Sequence, residues 1–288
     1  MNQSKNHHYV PVFYLKNWSN KDGNLIRWRK VNGKIVDKPI SPKAVGYRPF
    51  LYSYHELFQT DNRHEMESNF FQKVDGKCKP IMDKLLSNQK LTEQERVIWA
   101  YFLLVFRVRS PESVQRIKDD WLKHLAEGSS DEQKKTNAWS SQEDFSGWLP
   151  SGRDKEPGYV ESLAVAQIPD IAKSDRALKD LLSFRWCVIR REGQGRALVL
   201  SDRPLVWTPL QREDCVLALP LSPTHLFLAF PKNSIVEKSI LQQTPRNIVE
   251  TVNRLVVSQA DEYVFTENVR DVELRFIRNH LSEKPRGS

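Results

Sequence analysis

Thr92-Glu93-Gln94-Glu95-Arg96-Val97-Ile98-Trp99-Ala100-Tyr101-Phe102-Leu103-Leu104-Val105-Phe106 lies near the middle of a 288-residue chain and anchors the reading of the whole. Thr92 and Glu95 have the spacing of a capping box, in which a hydroxyl and a carboxylate satisfy the first free amides of a helix. The run that follows is apolar on every side, so the helix it predicts is central and buried. Ser110-Pro111 then reads as an N-cap and first helical residue, opening another helix to about Leu125. On the other side, Glu65 to Leu86 sets Phe70, Phe71, Val74, Cys78, Ile81, Met82 and Leu85 at three- and four-residue spacings, one apolar stripe. Gly76 and Pro80 interrupt it and predict a break or kink.

Strand signals flank this helical middle. Leu25 to Arg29 and Lys34 to Val36 surround Val31-Asn32-Gly33, and Asn-Gly between such segments predicts a type I′ hairpin. The whole stretch from Tyr9 to Tyr54 is dense in aromatics and reads as extended, with Tyr47 to Tyr54 a strand or a packed loop. Beyond the middle, Glu127 to Gly158 is polar but carries Trp139, Phe145 and Trp148, which predicts a flap or an extended insertion. Ser162 to Leu182 returns to helix, divided at Pro169. Phe184 to Arg190 and Arg196 to Leu200 read as a hairpin joined by Glu192-Gly193-Gln194-Gly195. Val216 to Leu219 and Leu226 to Phe230 read as strands, each closed by a Pro. Thr244-Pro245 caps a last helix to about Ala260, with Ile248, Val252, Leu255, Val256 and Gln259 on one face, and Tyr263-Val264-Phe265 is a short closing strand. The expected fold is α+β: an N-terminal aromatic β-hairpin region, a helical middle, and a C-terminal antiparallel sheet with a closing helix. The expected organisation is one domain over residues 1–288, with the polar insertion near 127–158 and an internal boundary within it.

Composition narrows the function classes. At 39% hydrophobic and 28% charged residues, the chain can bury a core and is neither disordered nor fibrous. No apolar run approaches the roughly 20 residues of a membrane span. Three cysteines without CxxC spacing argue against a disulfide framework or a structural zinc site and for a reduced, cytoplasmic protein. Lys and Arg number 44 against 36 Asp and Glu, a net charge of +8 that favours polyanionic partners. There is no GxxxxGK[ST], GxGxxG after a strand, HExxH or GxSxG.

The candidate site residues are few. His7 and His8, beside Tyr9-Val10-Pro11, could supply a metal ligand and a general base, although a strand would aim them to opposite faces. His8-Tyr9-Val10-Pro11 matches the first half of a His-Asn-His nuclease motif, but no ligand-bearing helix follows. Glu67 and Asp75, eight apart, lie about 80° and about 12 Å apart on a regular helix, too far to share an ion unless the Gly76 break brings them together, but one could complete a site begun by His7 or His8. Arg107 and Arg109 end the buried helix, where they complement the dipole or bind phosphate. Asp202, in Leu200-Ser201-Asp202-Arg203-Pro204, ends a strand in a turn or projects into a cleft. His55 and His64 fit no metal spacing.

His7-His8-Tyr9-Val10-Pro11 with Phe13-Tyr14-Leu15 resembles the opening of a widespread microbial domain family of unknown function, whose members begin His-His-Tyr-Val-Pro-Gln-Phe-Tyr-Leu-Arg-Asn-Phe. Here Val12 stands for Gln, Lys16 for Arg and Trp18 for the final Phe. The helix with Glu67, the helix ending in Arg107, Ser201-Asp202-Arg203-Pro204 and Leu219-Pro220-Leu221-Ser222-Pro223 resemble later blocks, with Arg203 where the family has Asn. The resemblance implies a shared fold and convergence of His7, His8, Glu67, Asp75, Arg107 and Asp202 on one pocket. It implies no activity.

The expected function is a metal-dependent phosphodiesterase or nuclease of a bacterial defence or toxin type. His8 and Glu67 would hold a divalent Mg or Mn, His7, His8, Glu67, Asp75 and Asp202 would form the catalytic set, and Arg107 and Arg109 would hold phosphate. The alternative is a non-catalytic module binding nucleic acid or a protein partner through the aromatic hairpin and the Trp139 to Trp148 segment.

Overall fold

Strand pairing joins the two ends of the chain. The computed structural model describes residues 5–56, 62–127, 157–191, 193 and 195–281. Strands β2 (Leu25–Val31) and β3 (Lys34–Ile40) form the hairpin, and Asn32 and Gly33 both take positive φ, at 48° and 74°, as a type I′ turn requires. Strand β10 (Val264–Thr266) pairs antiparallel with β2 on one side and with β6 (Leu200–Ser201) on the other, giving a four-stranded sheet of order β3-β2-β10-β6. The supposed closing strand is therefore central. The buried Trp28 indole donates to Thr266 Oγ1 at 2.8 Å across this sheet.

The second four-stranded antiparallel sheet has the order β5-β9-β8-β7, from β5 (Arg185–Arg190), β7 (Val206–Trp207), β8 (Leu217–Ser222) and β9 (His225–Phe230). The expected hairpin of 184–190 with 196–200 does not form. Strand β5 pairs with β9, whereas residues 197–199 are held by Asn253, whose amide donates to Ala197 O and accepts from Val199 N. Pro220 does not end β8 either. Its neighbour β7 pairs only as far as Ala218, so the missing N–H breaks no ladder bond on that side, and Tyr14 donates its hydroxyl to the Pro220 carbonyl.

Between the sheets and the surface lies the helical layer: α2 (Gln72–Leu86), α3 (Glu93–Val108), α4 (Pro111–Glu127), α5 (Pro157–Ala166), α6 (Ile168–Ala172) and α7 (Asp175–Ser183). The Thr92–Glu95 capping box forms, and α3 buries Trp99, Phe102, Val105 and Phe106. Trp99 meets Phe227 of β9 edge-on, and Phe102 and Phe106 meet Phe13 and Tyr14, so α3 ties the second sheet to the N-terminal segment. That segment is not wholly extended: Val12–Leu15 forms a helical turn, α1, because the Tyr14 and Leu15 amides close back on Pro11 O.

Helix α2 runs unbroken through Gly76 and Pro80. Proline removes one amide and crowds the Gly76 carbonyl, a cost of about 3 kcal/mol. Burial of Val74, Cys78, Ile81, Met82 and Leu85 on the same helix offsets it. The irregularity falls earlier, where Met66–Phe71 winds as a π-helix. At the other end, α8 (Ile235–Gln242) and α9 (Pro245–Ser258) precede β10, and a further helix, α10 (Asp271–His280), follows it and was not expected. On α9 Leu255 faces solvent, while Val249, Asn253 and Val257 are buried beside Ile248, Val252 and Val256. The expected insertion, with Trp139, Phe145 and Trp148, lies outside the described residues. No helix among the described residues is long and apolar enough to cross a membrane.

Candidate functional site

The short strand β1 (Asn6–His8) pairs with β4 (Tyr47–Pro49), setting His7 opposite Arg48 and His8 opposite Tyr47. Beyond it, the Tyr9 and Val10 amides both donate to Gly46 O, and Gly46 sits at φ 67° with no room for a side chain: a Cβ would lie 2.9 Å from Val10 Cβ. As a strand requires, the two histidines go to different surroundings, His7 fully buried and His8 half-buried.

His7 is held on both ring nitrogens. The Tyr52 amide donates to Nδ1 at 2.9 Å, and Nε2 lies 2.9 Å from His64 Nδ1. A backbone N–H can only donate, so Nδ1 carries no proton and the neutral ring has its hydrogen on Nε2, pointing at His64. Burial, with His64 and His8 nearby, holds the His7 pKa down at about 4, which agrees with a neutral ring. His64 Nδ1 therefore accepts, also from Ser53 Oγ at 3.2 Å, and its own hydrogen sits on Nε2, which has no partner among the described residues. Burial and the charges of Arg63 and Lys5 lower the His64 pKa, in the direction of the neutral ring. On its outer side His64 stacks on Phe50, at 6.0 Å and 29°. Phe50 is 49% exposed and sits at φ 59°, a left-handed conformation that costs a non-glycine residue about 1–3 kcal/mol.

The His8 backbone is gripped from two directions. Its amide donates to Glu67 Oε1 at 3.3 Å, and its carbonyl accepts from Arg109 Nη2 at 2.5 Å. Arg109, fully buried over the Phe71 ring, gives both Nη groups to Asp75, at 2.7 and 3.4 Å. Burial alone would lower its pKa, but Asp75 raises it above the ordinary arginine value and holds the guanidinium charged. Glu67 and Asp75 both feel Arg109 because of the π-helix: its additional residue removes about 100° of rotation and turns the expected 80° separation into about 20°. Burial raises the Glu67 pKa to about 7, against the pull of Arg109, and its buried Oε2 has no partner among the described residues.

The structure thus brings His7, His8, Glu67, Asp75 and Arg109 into one network, and Arg109 is committed to Asp75 and His8 rather than free for phosphate. Arg107 is placed differently, with its guanidinium 4.9 Å from the Trp207 ring. Asp202 is buried and accepts from the amides of Asp261, Glu262 and Tyr263, at 2.9, 2.7 and 2.9 Å, which shapes the turn into β10. Burial raises its pKa to about 6 against those three bonds. His8 Nε2 donates to Lys43 O at 3.3 Å, which puts the His8 lone pair on Nδ1, whereas both ring nitrogens of His7 are engaged. Among the described residues no three His, Cys, Asp or Glu side chains are grouped to hold a metal, and the expected His8–Glu67 pair meets through a backbone amide. His64, Phe50 and Tyr52 are the residues missed from the sequence. The one available signal was that His64 lies three residues before Glu67, on the same side of a helical turn.

Residues 6–269 match the family described as a protein of unknown function, DUF4238. The chain belongs to that family. No curated protein and no solved structure matches the chain. Family membership assigns no activity, so function rests on the geometry of these residues.

Proposed function

We propose that the chain binds single-stranded nucleic acid at the face formed by Phe50 and His64. The observation that carries this reading is the directed hydrogen-bond chain from the Tyr52 amide through His7 to His64, which aims a neutral N–H outward beside an exposed aromatic ring. A half-exposed Phe offers a stacking surface for a base, and a fixed N–H donor suits a phosphate oxygen. Lys5, exposed next to this face, and the net charge of +8 add the non-specific attraction.

A second reading, phosphodiester cleavage at the same face, is favoured by Glu67. A buried carboxyl with a pKa of about 7 and an unpartnered oxygen is matched to proton transfer at neutral pH. His64 is a poor base in its fixed tautomer and would serve as a hydrogen-bond donor to the phosphoryl group. No step is routed through Mg or Mn: among the described residues no three His, Cys, Asp or Glu side chains are grouped to hold an ion.

Fluorescence anisotropy with labelled single-stranded DNA and RNA tests the binding reading. Phe50→Ala should weaken binding about tenfold or more, the scale of one lost base stack. Unchanged affinity would overturn it. Incubation of the same oligonucleotides with Mg²⁺, Mn²⁺ or EDTA tests the cleavage reading: products lost in Glu67→Gln support it, and intact oligonucleotide under all three conditions removes it.

A further inference from the structure

On α9, remote in sequence from the β1 network, a cavity of about 190 Å³ opens between the segment after β5 and the start of the helix. Arg191, Arg196 and Arg246 line it, with Glu250 the acidic residue among its walls. The Nε groups of Arg191 and Arg196 are enclosed and have no hydrogen-bond partner among the described residues. Enclosed donors without acceptors cost free energy, and a guanidinium left in that state calls for an anion.

We infer that this cavity is a binding site for the phosphoryl group of a small phosphorylated ligand. Its arginines are set in place by the protein rather than loose on the surface. Arg191 donates through Nη1 to Gly195 O, and Arg196 Cζ sits 4.0 Å from the centre of the Phe276 ring of α10. Asn253, further along α9, fixes the chain just after Arg196 through its bonds to Ala197 and Val199. Arg246 is only weakly engaged, 3.9 Å from Glu250, and can turn to a ligand. Among the described residues that line it, three cations face one carboxylate. Planar guanidinium forks match the tetrahedral oxygens of phosphate. The helix start adds to this: Thr244 caps the Asn247 amide, Pro245 has none, and the Arg246 amide has no acceptor within the helix. A cavity of about 190 Å³ has room for a phosphoryl or pyrophosphoryl group.

The test is isothermal titration calorimetry on the full chain with inorganic pyrophosphate and, separately, a nucleoside 5′-monophosphate. Saturable binding of either is expected, and the tighter of the two identifies the source of the phosphoryl group. Arg246→Glu should weaken it at least tenfold. That side chain is 77% exposed, and a carboxylate suits a helix N-terminus, so the variant keeps its fold. Arg196→Ala should act in the same direction, and Phe50→Ala should leave this binding unchanged. Binding of neither ligand, or equal binding by the parent and both arginine variants, would overturn the inference.

Discussion

His7 Nε2 and His64 Nδ1 lie 2.9 Å apart, and because the Tyr52 amide occupies His7 Nδ1, the hydrogen between the rings belongs to His7. Residues 57 positions apart thereby fix each other's tautomers. Protonating either ring would set two N–H groups against one another or against the Tyr52 amide. Both imidazoles are therefore held neutral, and the outward nitrogen of His64 is a donor.

His7 should stay neutral in the folded protein down to about pH 4. Its folded pKa lies below the unfolded value of 6.5, so its contribution to stability is complete above that value. The contribution is lost as pH falls from 6.5 toward 4, because only the unfolded chain takes up the proton in that window. Nitrogen-detected NMR of the imidazoles across pH 7 to 4 checks this. A His7 titration centred near 6.5 would contradict it.

Glu67→Gln should be stabilising at pH 8 and close to neutral at pH 5. The folded pKa of about 7 exceeds the ordinary value of 4.5, so ionisation costs the folded state stability as pH rises through that interval. The neutral amide keeps an acceptor for the His8 amide and avoids the charge. At about 1.4 kcal/mol per pH unit the gain is at most about 3 kcal/mol. Thermal melts of the parent and variant at the two pH values measure it.

Asp75→Ala should cost about 3–5 kcal/mol, since it strands the buried Arg109 charge. Replacing both partners, with Arg109→Met added, should recover part of that loss. Urea unfolding of the two variants gives the comparison, and an Asp75→Ala loss below 1 kcal/mol would show the pair to be idle.

Much of this architecture can be read locally, and the rest depends on distant partners. The Thr92–Glu95 box and the Asn32-Gly33 turn form as their spacing predicts, because the interacting groups are three residues apart or fewer. Pro80 and Pro220 act through tertiary packing in two different ways: burial of the α2 face offsets the bond lost at Pro80, and β7 pairs no farther than Ala218, beside which Pro220 breaks no ladder bond. The central place of β10 depends on β2, more than 230 residues earlier, and nothing local reports it. At the site, His7, His8, Glu67 and Asp75 stand out in the sequence. Arg109 reads there as a helix-end cation, but its burial makes it the centre of the network. His64 was passed over because it fits no metal spacing, and its partner is another imidazole rather than a metal. The rotation that aligns Glu67 with Asp75 needs a π-helix, which periodicity at 3.6 residues does not reveal.

Gly46→Ala should destabilise by about 1–3 kcal/mol, because alanine at φ 67° is strained and its Cβ meets Val10. The Tyr9 and Val10 amides hang on the Gly46 carbonyl, so the variant should also loosen β1. Hydrogen exchange at those two amides reports that loosening, and unchanged protection would count against it.

In the proposed binding mode His64 presents a neutral Nε2–H to nucleic acid. The most direct measurement is the ¹⁵N-edited NMR signal of that group during titration with a single-stranded oligonucleotide at pH 7. The His64 Nε2 resonance should shift as the oligonucleotide binds, with the ring still singly protonated and the His7 Nδ1 signal left in place. An oligonucleotide that binds while the His64 signal does not move, or a His64 that is doubly protonated in the complex, would contradict it.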